Sequence, residues 1–179
     1  VQLETERLLI REVKAQDFEA IHAYASDPNV VRYMIWGPNS EQDTQDHIQR
    51  CLNMQLQIPR AGYEWAVVLK QTGRLIGGCG LHVEQPLQAE LGYCFHADYW
   101  GQGYAFEAAT ALLKFGFGEL GLHRMYATCR PANIGSEKVM QKAGMKYEGH
   151  LREHMWHKGQ WHDSYLYSIL KHEFKGMTG

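Results

Sequence analysis

Apolar residues recur along this chain with two different periods, and the switches between them mark out its elements. The run 7–13 (Leu8, Leu9, Ile10) reads as a first strand. Over 17–26, Phe18, Ile21 and Ala25 fall at helical spacing, and Asp27-Pro28 closes the run. Ser40-Glu41-Gln42-Asp43 resembles a helix N-cap, after which Ile48, Leu52 and Leu56 continue one face up to Pro59. Val67-Val68-Leu69 predicts a strand over 64–70, Gln71-Thr72-Gly73 a hairpin turn, and 75–83 the returning strand. In 88–96, Leu91, Tyr93 and Phe95 alternate with Glu90, Gly92 and Cys94, giving a third strand with two unlike faces. A helical stripe of Ala105, Ala108, Ala109, Leu112, Leu113 and Gly116 follows, through about Leu120. Residues 123–130 read as a strand ended by Pro131, and 134–143 as a helix stopped by Gly144. Residues 147–156 and 161–170 form a closing hairpin around Lys158-Gly159. The predicted order is β-α-α-β-β-β-α-β-α-β-β. That is an α/β (α+β) chain with a mixed, mainly antiparallel sheet of about seven strands and about four helices packed on it.

Composition narrows the setting. The 179 residues show no repeat, low-complexity tract or linker, so one domain over 1–179 is expected. Apolar content of 45% and charged content of 21% are ordinary for a globular protein. A net charge of -2 argues against a nucleic-acid partner, which calls for a basic face. No apolar run approaches the roughly 20 residues of a membrane helix. The opening Val1–Glu6 lacks the basic and apolar regions of a signal peptide. A cytoplasmic protein with no membrane partner is therefore expected. Cys51, Cys79, Cys94 and Cys129 are scattered, which suits reduced, buried thiols rather than disulfides or a zinc site. His150, His154, His157 and His162 cluster loosely. On strands only His150 and His154 would share a face, and no Cys or carboxylate completes a ligand set, so no metal is expected.

The chemistry concentrates at Tyr99-Trp100-Gly101-Gln102-Gly103-Tyr104-Ala105. Two glycines open a turn that feeds directly into a helix. A helix start leaves main-chain N–H groups unpaired, and the positive end of the helix dipole adds to them, so an anion site results. A phosphate or pyrophosphate is the natural occupant. The same glycines also suit a tight turn chosen for backbone shape alone. A dinucleotide fold needs a third glycine where Phe106 stands, after the first strand of a parallel unit. A P-loop needs Gly-Lys-Ser/Thr, which is absent.

Glu90-Leu91-Gly92-Tyr93 followed by Trp100-Gly101-Gln102-Gly103-Tyr104-Ala105-x-Glu107-Ala108 resembles the acetyl-CoA-binding core of the GNAT superfamily of N-acetyltransferases. Pro131-x-Asn133-x-x-Ser136 and Lys142-Ala143-Gly144-Met145-x-x-Glu148-Gly149 are similar to motifs of its ribosomal-protein branch (RimJ/RimL type). The opening Glu4-Thr5-Glu6-Arg7-Leu8-x-x-Arg11, the Asp27-Pro28 step and the closing Gly159-x-x-x-Asp163 fit as well. The likeness runs through nearly the whole chain in order.

The resemblance implies an acetyl-CoA-dependent N-acetyltransferase whose acceptor is a protein N-terminal α-amine or a small-molecule amine. The pyrophosphate would rest on main-chain N–H groups of Gly101, Gln102, Gly103, Tyr104 and Ala105. The pantetheine arm would add alongside the strand end at Phe95 and His96, with an N–H near Phe95 facing the oxyanion. Trp100 would contribute packing. Asn133 would orient the arm. Ser136 would protonate the leaving thiolate, because Met140 stands where many relatives have a tyrosine. Glu90 is the candidate base, with His96 and His154 behind it. Glu107 would face away from the phosphates. Tyr33, Met34, Ile35 and Trp36 would line the acceptor pocket, and closing hairpins of such folds point to a homodimer. Two other readings stay open: an acyl-CoA-binding module that has lost its chemistry, and a nucleotide-binding oxidoreductase.

Overall fold

The computed structural model describes residues 1–177; residues 178 and 179 of the expected 1–179 domain lie outside the described part. Eight strands form one sheet. In chain order they are β1 (Gln2–Glu4), β2 (Leu8–Glu12), β3 (Gly62–Leu69), β4 (Arg74–Gln85), β5 (Gln88–Phe95), β6 (Arg124–Cys129), β7 (Lys146–His157) and β8 (Gln160–Leu170). The helices are α1 (Phe18–Ala25), α2 (Glu41–Gln55), α3 (Tyr104–Gly118) and α4 (Ile134–Lys142). The sheet order is β1-β2-β3-β4-β5-β6-β8-β7. Every neighbouring pair is antiparallel except β5–β6. The expected mixed sheet with four helices is therefore present, with one strand more than the sequence suggests. The extra strand, β1, is three residues long and pairs with β2 at the sheet edge.

Alternation along the strands sorts side chains to two faces. Trp65, Cys79, Leu91 and Phe95 join Leu112, Leu113 and Met140 in the larger core, beneath α3 and α4. Ala66 meets Ile21, Tyr24, Ile48 and Cys51 of α1 and α2 in a smaller core on the opposite face. The start of α2 follows the predicted cap. Ser40 Oγ accepts from the Asp43 N–H at 3.1 Å, and Asp43 returns a bond to the Ser40 N–H at 2.9 Å. Burial of the smaller face is incomplete, and the cleft opens there.

Candidate active site

The glycine turn adopts the geometry its residues allow. Gly101 and Gly103 have φ of 71° and 83°, left-handed values that disfavour any side chain. Gly103 caps α3, and no side chain caps the helix in its place. Among the described residues, no main-chain N–H from Gly101 to Ala105 donates to another group. Five donors thus converge at a helix start, as an anion site requires. Side chains brace the turn from behind. Arg7 Nη1 donates to the Gln102 carbonyl at 2.9 Å, and its guanidinium lies 4.3 Å from the Tyr104 ring centre. Gln102 Nε2 reaches back to the Asp98 carbonyl at 3.0 Å. Glu107 points away from the turn, taking bonds from the Arg7 N–H at 2.8 Å and from Arg7 Nε at 2.7 Å.

Beside this turn the sheet parts. β5 and β6 pair only over Gln88↔Arg124, Ala89↔Met125 and Glu90↔Tyr126. Beyond that point β5 stays with β4 and β6 stays with β8. The His96 N–H donates to the Ile76 carbonyl at 2.9 Å, and its carbonyl accepts from the Tyr99 N–H at 3.0 Å. Both main-chain groups expected of His96 for the cofactor arm are therefore engaged within the fold. Main-chain groups on an antiparallel strand alternate in direction. The N–H groups of Leu91, Tyr93 and Phe95 consequently face the gap. Trp100 does more than pack: its Nε1 donates to the Phe95 carbonyl at 2.8 Å and so fixes the lip of the gap.

A cleft of about 800 Å³ enters this parting from the α1–α2 side. Tyr33, Met34, Ile35 and Trp36 line it, where the sequence places an acceptor pocket. Asn133 and Ser136 line its α4 wall. Asn133 Oδ1 accepts from the Ser136 N–H at 3.2 Å, so Asn133 caps α4 while facing the cleft. The Tyr93 hydroxyl lies 3.0 Å from Ser136 Oγ. Burial raises the Tyr93 phenol well above its usual pKa, so it remains a proton-bearing group. Tyr93 alternates with Leu91 and Phe95 along β5 and packs against the larger core, and nothing in that alternation reveals where its hydroxyl ends.

Glu90 lines the floor of the cleft. Burial raises its pKa, and the nearby Glu84 adds to the rise, against His82, Thr128 and Arg130. A second acid–base pair, missed in the sequence, stands in the same wall. His82 Nε2 lies 2.6 Å from Glu64 Oε1. The bond to Glu64 raises the His82 pKa against the opposing effect of burial. Gly92 lies on the cleft too, and open space faces the position its Cβ would take. The remaining base candidates sit elsewhere. His96 Nδ1 accepts from the Asp98 N–H at 3.2 Å. His154 Nδ1 lies 2.7 Å from Ser164 Oγ, outside the cleft lining. The expected shared face of His150 and His154 is lost to a bulge between Leu151 and Met155. His150 meets Asp163 at 2.7 Å while His154 meets Ser164, and these two neighbours point to opposite faces.

Both sequence and fold are shared with known proteins. The chain is 36% identical over 180 residues to the uncharacterized N-acetyltransferase YnaD of Bacillus subtilis, covering 97% of this chain and 99% of that protein. The crystal structure of a GNAT-family acetyltransferase from Bacillus anthracis superposes with a TM-score of 0.87 at 37% identity, over 97% of this chain and 100% of that one. A shorter stretch of 79 residues is 30% identical to the [ribosomal protein uS5]-alanine N-acetyltransferase of Escherichia coli, over 44% of this chain and 41% of that enzyme. The sequence model of the acetyltransferase (GNAT) domain matches residues 7–146, from the arginine behind the glycine turn to the first residue of β7. The chain belongs to the GNAT family and is an N-acetyltransferase.

Proposed function

We propose that this enzyme moves the acetyl group of acetyl-CoA to a primary amine by direct attack in a ternary complex, the amine being a protein N-terminal α-amine or a small-molecule amine. The observation that carries this reading is the parting of β5 and β6 next to five unpartnered N–H groups. A pyrophosphate suits the Gly101–Ala105 amides, and an extended pantetheine arm suits the free edge of β5.

In the reaction the amine nitrogen forms a bond to the thioester carbonyl carbon, the carbon–sulfur bond breaks, and the ammonium gives up a proton. The Phe95 N–H donates to the developing oxyanion, a contribution worth about 3 kcal/mol in comparable sites. Ser136 supplies a proton toward the thiolate, and Tyr93 can replenish it through their shared hydrogen bond. Glu90, with its raised pKa, accepts the amine proton directly or through water. An α-amine, with pKa of about 7.7–8.0, is already partly neutral at pH 7, whereas a lysine amine costs roughly 4–5 kcal/mol to deprotonate. The smaller cost of deprotonation favours the α-amine as acceptor.

Thiol release from acetyl-CoA, measured over a panel of peptides and small amines, tests the reading. Ser136→Ala should lower kcat about tenfold or more while the acetyl-CoA Kd stays within about twofold. Unchanged turnover in that variant removes Ser136 from the mechanism, and absence of thiol release with every amine removes the reaction.

A further inference from the structure

Arg130 follows β6 directly, at the mouth of the parting. Its side chain is only 7% exposed. Among the described residues no group accepts a hydrogen bond from its guanidinium, and Nη1 is enclosed without a partner. The other shielded arginines are handled differently. Arg11 makes two bonds to the Asp17 carboxylate, both at 2.8 Å. Arg60 does the same with Glu12, at 2.7 and 3.0 Å. A fold that bonds its buried guanidinium groups to carboxylates leaves this one with no bonded carboxylate, and Glu90 acts on it only through space. An unpaired buried cation is costly and is normally compensated by an anion.

The location says which anion. Arg130 borders two cavities, the main cleft and a second of about 450 Å³ edged by Arg32, Tyr33, Gln160 and His162. Among the described residues the one carboxylate on that second cavity, Asp163, is already engaged by His150 and by the Glu153 N–H, each at 2.7 Å. Tyr126, opposite Glu90 in the register, is followed at two-residue steps by Thr128 and Arg130. Residues two apart on a strand share a face and lie about 7 Å apart. Arg130 lies one residue past the end of β6, and it lines the same cleft as Glu90, so a proton acceptor and a fixed cation border one cavity. The phosphate turn has a different cation behind it, Arg7.

We propose that Arg130 binds a carboxylate of the acceptor, so that the acceptor is an amino acid or a peptide terminus bearing an acidic group, held with its amine toward Glu90. This rests on the acetyl-transfer reading above and adds the class of acceptor. A guanidinium fork matches a carboxylate in two-point contact, whereas a purely cationic polyamine would meet it with like charge.

The test uses the full chain and two variants, Arg130→Met and Arg130→Lys. Amino acids and acidic dipeptides are compared with their carboxamides, pair by pair, by thiol release. Wild type should favour the acid member about tenfold or more in kcat/KM, Arg130→Met should bring the ratio to about one, and Arg130→Lys should recover part of it. Calorimetric binding of the N-acetyl amino acids to the CoA-loaded protein is the second readout. It should weaken about tenfold in Arg130→Met while CoA affinity holds. Equal ratios in wild type and Arg130→Met overturn the proposal. So does a variant that loses CoA instead, which would give Arg130 to a coenzyme phosphate. Should wild type acetylate no amine, acetyl transfer fails as the function, while the calorimetry still decides Arg130: N-acetyl amino acid binding lost in the variant supports it, and unchanged binding overturns it. If Arg130→Met does not fold, a wild-type acid-to-amide ratio of one is sufficient refutation.

Discussion

Glu107 ties the amino-terminal segment to the helix that begins at the phosphate turn, and its removal should show how much that tie contributes. Three donors converge on one carboxylate that is 15% exposed: Thr5 Oγ1 at 2.5 Å, the Arg7 N–H at 2.8 Å and Arg7 Nε at 2.7 Å. Bonds to a charged group contribute about 1.5–3 kcal/mol each, less when they share one acceptor group and Arg7 is partly in water. Glu107→Gln keeps an oxygen for two of the donors but loses the charge and turns one acceptor into a donor facing Arg7. A loss of about 2 kcal/mol follows. For a chain of this size that lowers Tm by roughly 4–8 °C. The Arg7 side chain, freed from Glu107, should also hold the Gln102 carbonyl less firmly, so acetyl-CoA affinity should fall several-fold.

The pH dependence separates this account from a generic packing defect. Burial alone would raise the Glu107 pKa, but the bonds from Thr5 and from the Arg7 N–H and side chain outweigh it and hold the pKa below its ordinary value. A depressed folded-state pKa gives stability that is complete above the unfolded value of about 4.3 and is lost as pH falls through the folded one. Urea unfolding of wild type and Glu107→Gln at pH 7, 5 and 4 should therefore show a gap that is full at pH 7 and 5 and begins to close at pH 4. A gap of the same size at all three pH values, or no gap at pH 7, refutes the reasoning.

Gly103→Ala places a Cβ at φ 83° and 3.3 Å from Arg7 Nη2, so a strain of about 1–2 kcal/mol is expected, read as a lower Tm and weaker acetyl-CoA binding in calorimetry. Leu112→Ala empties a fully buried site in the α3 core and should cost about 2–5 kcal/mol in urea unfolding with the m-value unchanged. Glu90→Gln should lower kcat/KM and remove the acid limb of its pH profile. In wild type that limb lies above the ordinary carboxylate value, because burial and then Glu84 raise the pKa and the base works only when deprotonated. A limb that persists in the variant assigns the base to another group, with the Glu64–His82 pair next in line.

Periodicity was sufficient for what depends on one element at a time. Alternation at Leu91, Tyr93 and Phe95 sets these side chains under α3, Ser40 and Asp43 mark the start of α2, and Gly101 and Gly103 mark a turn that takes left-handed φ at both glycines. The short β1 carries too few residues to show a period at all. What depends on pairing between distant segments was hidden. Glu64 and His82 meet because the β3–β4 register sets Glu64 beside Gly80 and leaves His82 one step diagonal to it, and no local pattern encodes a register. The bulge that turns His150 and His154 to opposite faces is hidden for the same reason. The cleft belongs to this second kind of feature. Only family likeness implies its diverging strands, because the local pattern says where β5 and β6 begin and not that they cease to pair after Glu90 and Tyr126. Past that point β5 ends at a carbonyl claimed by Trp100, and β6 runs out at Arg130 and Pro131 before Asn133 caps α4. Each strand is finished by its own neighbours instead of by the other, so the gap between them is a built part of the fold.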